Sequence, residues 1–113
     1  MSKDPQCIFC KIVAGEIPAK IILETPEALV FEDVMPQAPV HWLVIPKTHV
    51  ASHLEVTDPT VFQHVMSATQ QALQAHGITS YRLVTNTGDS AGQSVFHWHM
   101  HVLAGRPLRW PPG

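Results

Sequence analysis

Between Ser94 and Gly105 the chain runs Ser94-Val95-Phe96-His97-Trp98-His99-Met100-His101-Val102-Leu103-Ala104-Gly105, with three histidines alternating with apolar residues. Strict alternation marks a half-buried β-strand, because successive side chains point to opposite faces. The expected strand runs from Val95 to Leu103. It puts His97, His99 and His101 on one face, and Trp98, Met100 and Val102 on the other, against a core. Next-but-one residues on a strand lie roughly 6.6 Å apart, so the imidazoles would form a row. Imidazole is costly to bury without partners and titrates near neutrality. Three charged rings in a row would repel one another, so some must stay neutral. A neutral imidazole serves as nucleophile, base or metal ligand. The bland alternative is a solvated, His-rich strand face, which has no need of one repeated residue type.

The length, 113 residues, fits a single domain over 1–113. Hydrophobic residues make up 45% of the chain, enough for a small core, and charged residues only 14%. A small domain with few charges often covers apolar surface by self-association, so a homodimer is expected. The net charge of −2, with no basic run, argues against nucleic acid. No apolar run reaches transmembrane length, and Met1-Ser2-Lys3-Asp4-Pro5 opens no leader, so no membrane association and a cytoplasmic location are expected. Cys7 and Cys10 then read as a redox or metal pair rather than a structural disulfide.

Asp4-Pro5 reads as the start of a short helix through Val13, closed by Gly15. Ile21–Glu24 and Ala28–Glu32 read as a hairpin about Thr25-Pro26-Glu27. Residues 33–39 hold two prolines and form a fixed loop before a strand from His41 to Ile45. Asp58-Pro59 opens one long helix with a stripe of Phe62, Val65, Met66, Thr69, Ala72 and Leu73, ended by Gly77. That stripe reads as core rather than a partner groove. Ser80–Thr85 is a strand, and residues 86–93 form a Gly-rich loop into the histidine run. The order α-β-β-β-α-β-β predicts an α+β domain: a five-stranded, mostly antiparallel sheet with helices on one face.

His97-Trp98-His99-Met100-His101-Val102-Leu103 resembles the signature of the histidine-triad nucleotide-binding proteins. The likeness extends to Cys7–Ile12, to Gln37–Lys47 and to Gly92-Gln93-Ser94-Val95, and the tail Arg109-Trp110-Pro111-Pro112-Gly113 resembles that of the Hint branch. The resemblance implies a HIT-like fold, with a dimer that extends the sheet, and a purine nucleoside phosphoramidase. Such an enzyme cleaves the P–N bond of adenosine or guanosine 5′-phosphoramidates and binds AMP or GMP. By position His99 would be the nucleophile, through a nucleotidyl-histidine intermediate, with no cofactor required for catalysis. A hydrogen bond from its other ring nitrogen to a backbone carbonyl would fix its tautomer. His101 would donate to the phosphate oxygens, aided by Gly92, Gln93, Ser94 and loop amides, and Ser94 would also meet the leaving amine. Asp33 would take the ribose hydroxyls, where the plain reading is an Asx turn. Asn86 would contact phosphate or orient a histidine, where the plain reading is turn chemistry. Ile8, Phe9, Phe31 and Val34 would form the base pocket and His41 would line the site, where core packing competes for each. His53, His64 and His76 show no pattern and read as surface groups.

Cys7-x-x-Cys10 with His49 and His97 makes a set suited to a structural zinc ion, an arrangement that resembles galactose-1-phosphate uridylyltransferase. His97 would then be structural as well as part of the triad. Two other function classes compete. One is a metallohydrolase with a cage of His97, His99 and His101, although the outer two would lie roughly 13 Å apart on a strand. The other is a non-catalytic purine-nucleotide-binding regulator. The thioredoxin-like reading of the cysteines lacks a βαβ pattern.

Overall fold

In the computed structural model, residues 4–113 are described; Met1, Ser2 and Lys3, read above as part of a leaderless N-terminus, lie outside them. Seven main elements follow one another: α1 (Ile8–Val13), β1 (Ile21–Glu24), β2 (Ala28–Glu32), β3 (Val40–Pro46), α2 (Thr60–Ala75), β4 (Tyr81–Val84) and β5 (Met100–Ala104). The strands form one antiparallel sheet in the order β1-β2-β3-β5-β4. The hairpin forms where the Thr25-Pro26-Glu27 turn placed it, and the Thr25 hydroxyl accepts the Ala28 N–H at 3.0 Å.

Both faces of the sheet are covered. On one face α2 lays Val65, Ala68, Ala72 and Leu73 against Val30, Val44, Trp98, Met100 and Val102. The other face carries Phe9 of α1 over Leu29, Phe31, Leu43 and Ile45. The expectation of helices on one face is therefore corrected. β3 explains the difference, because six consecutive residues from His41 to Pro46 are buried. A strand buried on both faces reads as a continuous apolar run, not an alternation. Val30, Val44 and Val102 are fully buried, and each such side chain stabilises the fold by about 1.5 kcal/mol or more.

Three local expectations shift. α1 begins three residues after Pro5, because the Cys7 sulfur, not Asp4, caps it by accepting a free N–H of the first turn, that of Cys10. Asp4 instead accepts the Gln6 N–H at 2.9 Å in the preceding turn. The α2 stripe is rotated: Ala68 joins the core, whereas Phe62 and Met66 remain 37% and 41% exposed. Phe62 still packs its ring on the edge of Trp98. The last strand starts at Met100, not Val95. Trp98 N–H donates to the Val50 carbonyl at 2.6 Å, outside the sheet, yet the side chains of residues 97–102 keep alternating between faces.

Gly105 ends β5 with φ +93°, and a Cβ there would lie 2.8 Å from Pro39 Cβ. Glycine is needed on both counts. Among the described residues, no helix is long and apolar enough to cross a membrane.

Candidate functional site

A cavity of about 630 Å³ opens on the α1 face of the sheet, within the range of small-ligand sites. Its walls are mostly apolar: Ile8, Phe9 and Ile12 from α1, Phe31 from β2 and Leu43 from β3. Its polar lining includes Asp33, Ser94, His99 and His101, together with Lys20 and Glu32. β5 pairs with β3 so that His101 lies opposite Leu43, which sets the histidines beside the apolar wall. Phe9 packs edge-on against His99, with ring centroids 5.2 Å apart.

His99 is buried, and its Nδ1–H donates to the His97 carbonyl at 2.9 Å. A carbonyl only accepts, so the ring is fixed with its proton on Nδ1 and a bare lone pair on Nε2. Burial holds its pKa below the ordinary histidine value; the bond to the His97 carbonyl and the Asp33 charge oppose that shift without cancelling it. At neutral pH this imidazole is uncharged and able to attack.

His101 is set by a relay. The Gln37 backbone N–H donates to His41 Nδ1 at 2.9 Å. His41 therefore carries its proton on Nε2, which donates to His101 Nδ1 at 2.9 Å. His101 is left with its proton on Nε2, as a neutral donor. Burial pushes its pKa down to about 4, with the neighbouring His99 and His41 adding to the effect. Asp33 Oδ2 lies 3.4 Å from His41 Nε2, while its Oδ1 accepts the Met35 N–H at 2.8 Å in an Asx turn. Asp33, His41 and His101 lie close enough to invite a metal. The proton on His41 Nε2 closes that option.

A second cluster sits behind the triad. Cys7, Cys10, His49 and His97 bring their ligand atoms within 4.8 Å of one another. His97 is fully buried. Its Nε2–H donates to the Pro46 carbonyl at 2.8 Å, which leaves the Nδ1 lone pair facing the cluster. That nitrogen lies 3.4 Å from Cys7 Sγ, 3.6 Å from Cys10 Sγ and 3.2 Å from His49 Nδ1, and Cys10 Sγ lies 3.3 Å from His49 Nδ1. The edges of a tetrahedron about zinc, with ordinary Zn–S and Zn–N lengths, are about 3.3–3.8 Å. The backbone N–H groups of Cys10 and Asp4 donate to the sulfurs of Cys7 and Cys10, bonds that favour the thiolate form a metal needs. Burial pushes the Cys7 thiol above its ordinary value, a direction that a divalent cation would reverse. The donor set fits a zinc ion.

The HIT domain family matches residues 14–108. The chain belongs to that family. Among relatives, an uncharacterized HIT-like protein of Synechococcus elongatus is 47% identical, covering 100% of both chains. Another of Synechocystis is 45% identical over 94% of this chain and 96% of its own. A HIT family hydrolase from Legionella pneumophila has a closely similar structure, with a TM-score of 0.91, 43% identity and coverage of 96% of this chain and 100% of its own. A histidine triad protein from Clostridium difficile superposes with a TM-score of 0.89 at 37% identity, covering 95% and 96% of the two chains. These similarities support a hydrolase-type role for this HIT protein.

Of the residues singled out in the sequence, Ile8, Phe9, Phe31, Asp33, Val34, Ser94, His99 and His101 share the one cavity. His41 stands behind His101 rather than on the wall. The His97 ring is turned to the cysteines, and only its carbonyl serves His99. A three-histidine metal cage is therefore not formed. Gln93 is also corrected: its amide is committed to the Gly88 N–H and to the Ala51 and Val95 carbonyls. It shapes the loop and has no free side-chain donor for phosphate. Gly92 has φ +98°, beside Asn86, so it turns that same loop. Leu43, Ile12 and Val95 were missed as wall residues. Pairing His101 with β3 would have exposed Leu43, since β3 carries one residue opposite each of β5.

Proposed function

We propose that this HIT protein is a purine nucleoside phosphoramidase, acting on 5′-phosphoramidates of adenosine or guanosine. The observation that carries the reading is the His99 tautomer: Nδ1–H tied to the His97 carbonyl, Nε2 bare, on the rim of an apolar cavity. The base would lie between Ile8, Phe9, Phe31 and Val34, with the ribose hydroxyls on Asp33. His99 Nε2 attacks the α-phosphorus, the P–N bond breaks, and the amine leaves beside Ser94 with a proton taken from solvent, which the water of the next step gives back. Water then attacks the same phosphorus, the phosphorus–histidine bond breaks, and the nucleoside monophosphate departs. His101 donates its Nε2–H to the non-bridging oxygens, where charge gathers. Asn86 and the Ser94 amide complete the cradle, since the Gly92 and Gln93 N–H groups are already held by the Asp89 and Gly88 carbonyls.

Structural zinc on Cys7, Cys10, His49 and His97 is part of the proposal, supported by the donor spacing. The ion would brace α1 against the His97 backbone and take no part in the chemistry. A cytoplasmic homodimer built from the single domain completes the reading. The dimer is supported by exposed Met35, Phe96 and Trp110.

The test is intact-mass analysis after rapid mixing with adenosine 5′-phosphoramidate, for the native chain and for His99→Ala. A transient adduct of one nucleotidyl group, absent in the variant, is expected. AMP binding with neither product nor adduct would overturn the enzyme reading in favour of a nucleotide-binding regulator.

A further inference from the structure

Thr85, one residue beyond β4, is bonded to the segment that carries the nucleophile. The ladder between β4 and β5 ends at the pair Val84 and His101. Past that point, the Thr85 hydroxyl takes over the link by side chain. It donates to the His99 carbonyl at 2.8 Å and accepts from the Trp98 indole N–H at 2.9 Å. The direction is unambiguous, because an indole nitrogen only donates and a carbonyl only accepts.

The link falls where the chain is least held by the sheet. Residues 97–99 precede β5, and their regular support is the single bond from Trp98 N–H to Val50. Trp98 is anchored in the core on the α2 face, so its indole is a fixed point. Through the hydroxyl, that fixed point reaches the backbone of a residue whose ring faces the opposite side. His99 is thereby held at two places: its ring by the His97 carbonyl, its backbone by Thr85.

We infer that Thr85 is a positioning residue for His99, holding the imidazole in line with the phosphorus through the relay Trp98–Thr85–His99. The inference rests on the phosphoramidase reading and adds to it a residue outside the cavity wall. Thr85 is exposed, and valine matches its shape, so removing the hydroxyl opens no core cavity.

The experiment compares Thr85→Val, Thr85→Ser and Trp98→Phe by single-turnover adduct formation, with AMP affinity measured on each. Misplacing a reacting group by about an ångström costs roughly 100-fold in rate. Thr85→Val is expected to slow adduct formation by about 10- to 100-fold with AMP affinity within about twofold. Thr85→Ser restores the hydroxyl and should recover most of the rate; Trp98→Phe should fall between. A Thr85→Val rate within twofold of native, a parallel loss of AMP affinity, or no rescue by serine would overturn the inference. ¹⁵N imidazole signals of His99 give a readout independent of turnover. Thr85→Val should disturb the Nδ1–H signal and leave that of His41 in place. If the native chain makes neither product nor adduct, the phosphoramidase reading fails on its own. The positioning inference is then decided by this signal, and an unmoved His99 Nδ1–H overturns it.

Discussion

His97 and His99 are two residues apart and lie in opposite kinds of surroundings. His97 has no exposed surface and aims its free nitrogen at two sulfurs and another imidazole. His99 borders an open cavity, and its free nitrogen has no hydrogen-bond partner among the described residues. Both rings are neutral for the same reason, burial. What differs is which nitrogen is tied to a carbonyl: Nε2 in His97, Nδ1 in His99. One backbone bond per ring decides whether the lone pair faces a metal-sized cluster or a ligand-sized cavity. The residue type supplies the chemistry, and the partner carbonyl assigns the role.

The contrast breaks most sharply at the two rings. His99→Ala should lower turnover by about 10⁴-fold or more, since under the proposed mechanism it deletes the attacking atom, with a smaller loss of stability than at His97 because its ring borders the cavity. His97→Ala should destabilise the fold by roughly 3 kcal/mol, as for other large buried side chains. Turnover together with urea titration of both variants checks the split; equal effects on both quantities would erase the distinction.

Replacing both Cys7 and Cys10 by serine tests the sealed side alone. Zinc content, measured on protein without a histidine tag, should fall from one per chain to near none. The melting temperature should drop by several degrees, as expected for loss of roughly 1–2 kcal/mol in a domain of this size. Native protein without stoichiometric zinc would remove the metal from the account.

The open side has its own pH signature. His101 titrates at about 4 in the fold against its ordinary 6.5. Between those values the unfolded chain binds a proton that the folded chain refuses, so stability falls as pH drops from about 6.5 towards 4. Urea midpoints across that window should decline, and His101→Gln should make the decline shallower without abolishing it, because burial also holds His97 down to about 4 and lowers His99 and His41. A flat native profile would contradict the burial of the ring.

The smallest effect is expected at the tail. Trp110 is 83% exposed in the single chain. If it shapes a leaving-group pocket in a dimer, truncation after Leu108 should alter relative rates among amine leaving groups by a few-fold. AMP affinity should hold. Unchanged relative rates would confine the tail to a passive role.

Much of this is legible in the sequence, because local rules carry it. The hairpin was readable from Thr25-Pro26-Glu27, and both its strands occupy the expected residues. The alternation of residues 97–102 correctly divided core from site. It overstated the strand, because side-chain direction persists through residues 97–99 although their backbone leaves the ladder. The helix faces are not legible in the sequence, because a six-residue helix is too short for its apolar stripe to say which side of a sheet it covers. Gln93 looked like a phosphate donor in sequence, since nothing local revealed that Gly88, Ala51 and Val95 would use its amide.

The amino-acid sequence alone determined the periodicities, the turn chemistry and the inventory of imidazoles and thiols, and through them the family and the set of candidate residues. It could not determine which ring nitrogen bears a proton. That depends on Pro46, Gln37 and His41, which stand 51, 4 and 60 residues from the rings they bond, while the His99 backbone is held by Thr85, 14 residues away. Only packing brings such groups within 3 Å, and only at that range does a carbonyl, an amide or a hydroxyl select one tautomer or hold one backbone.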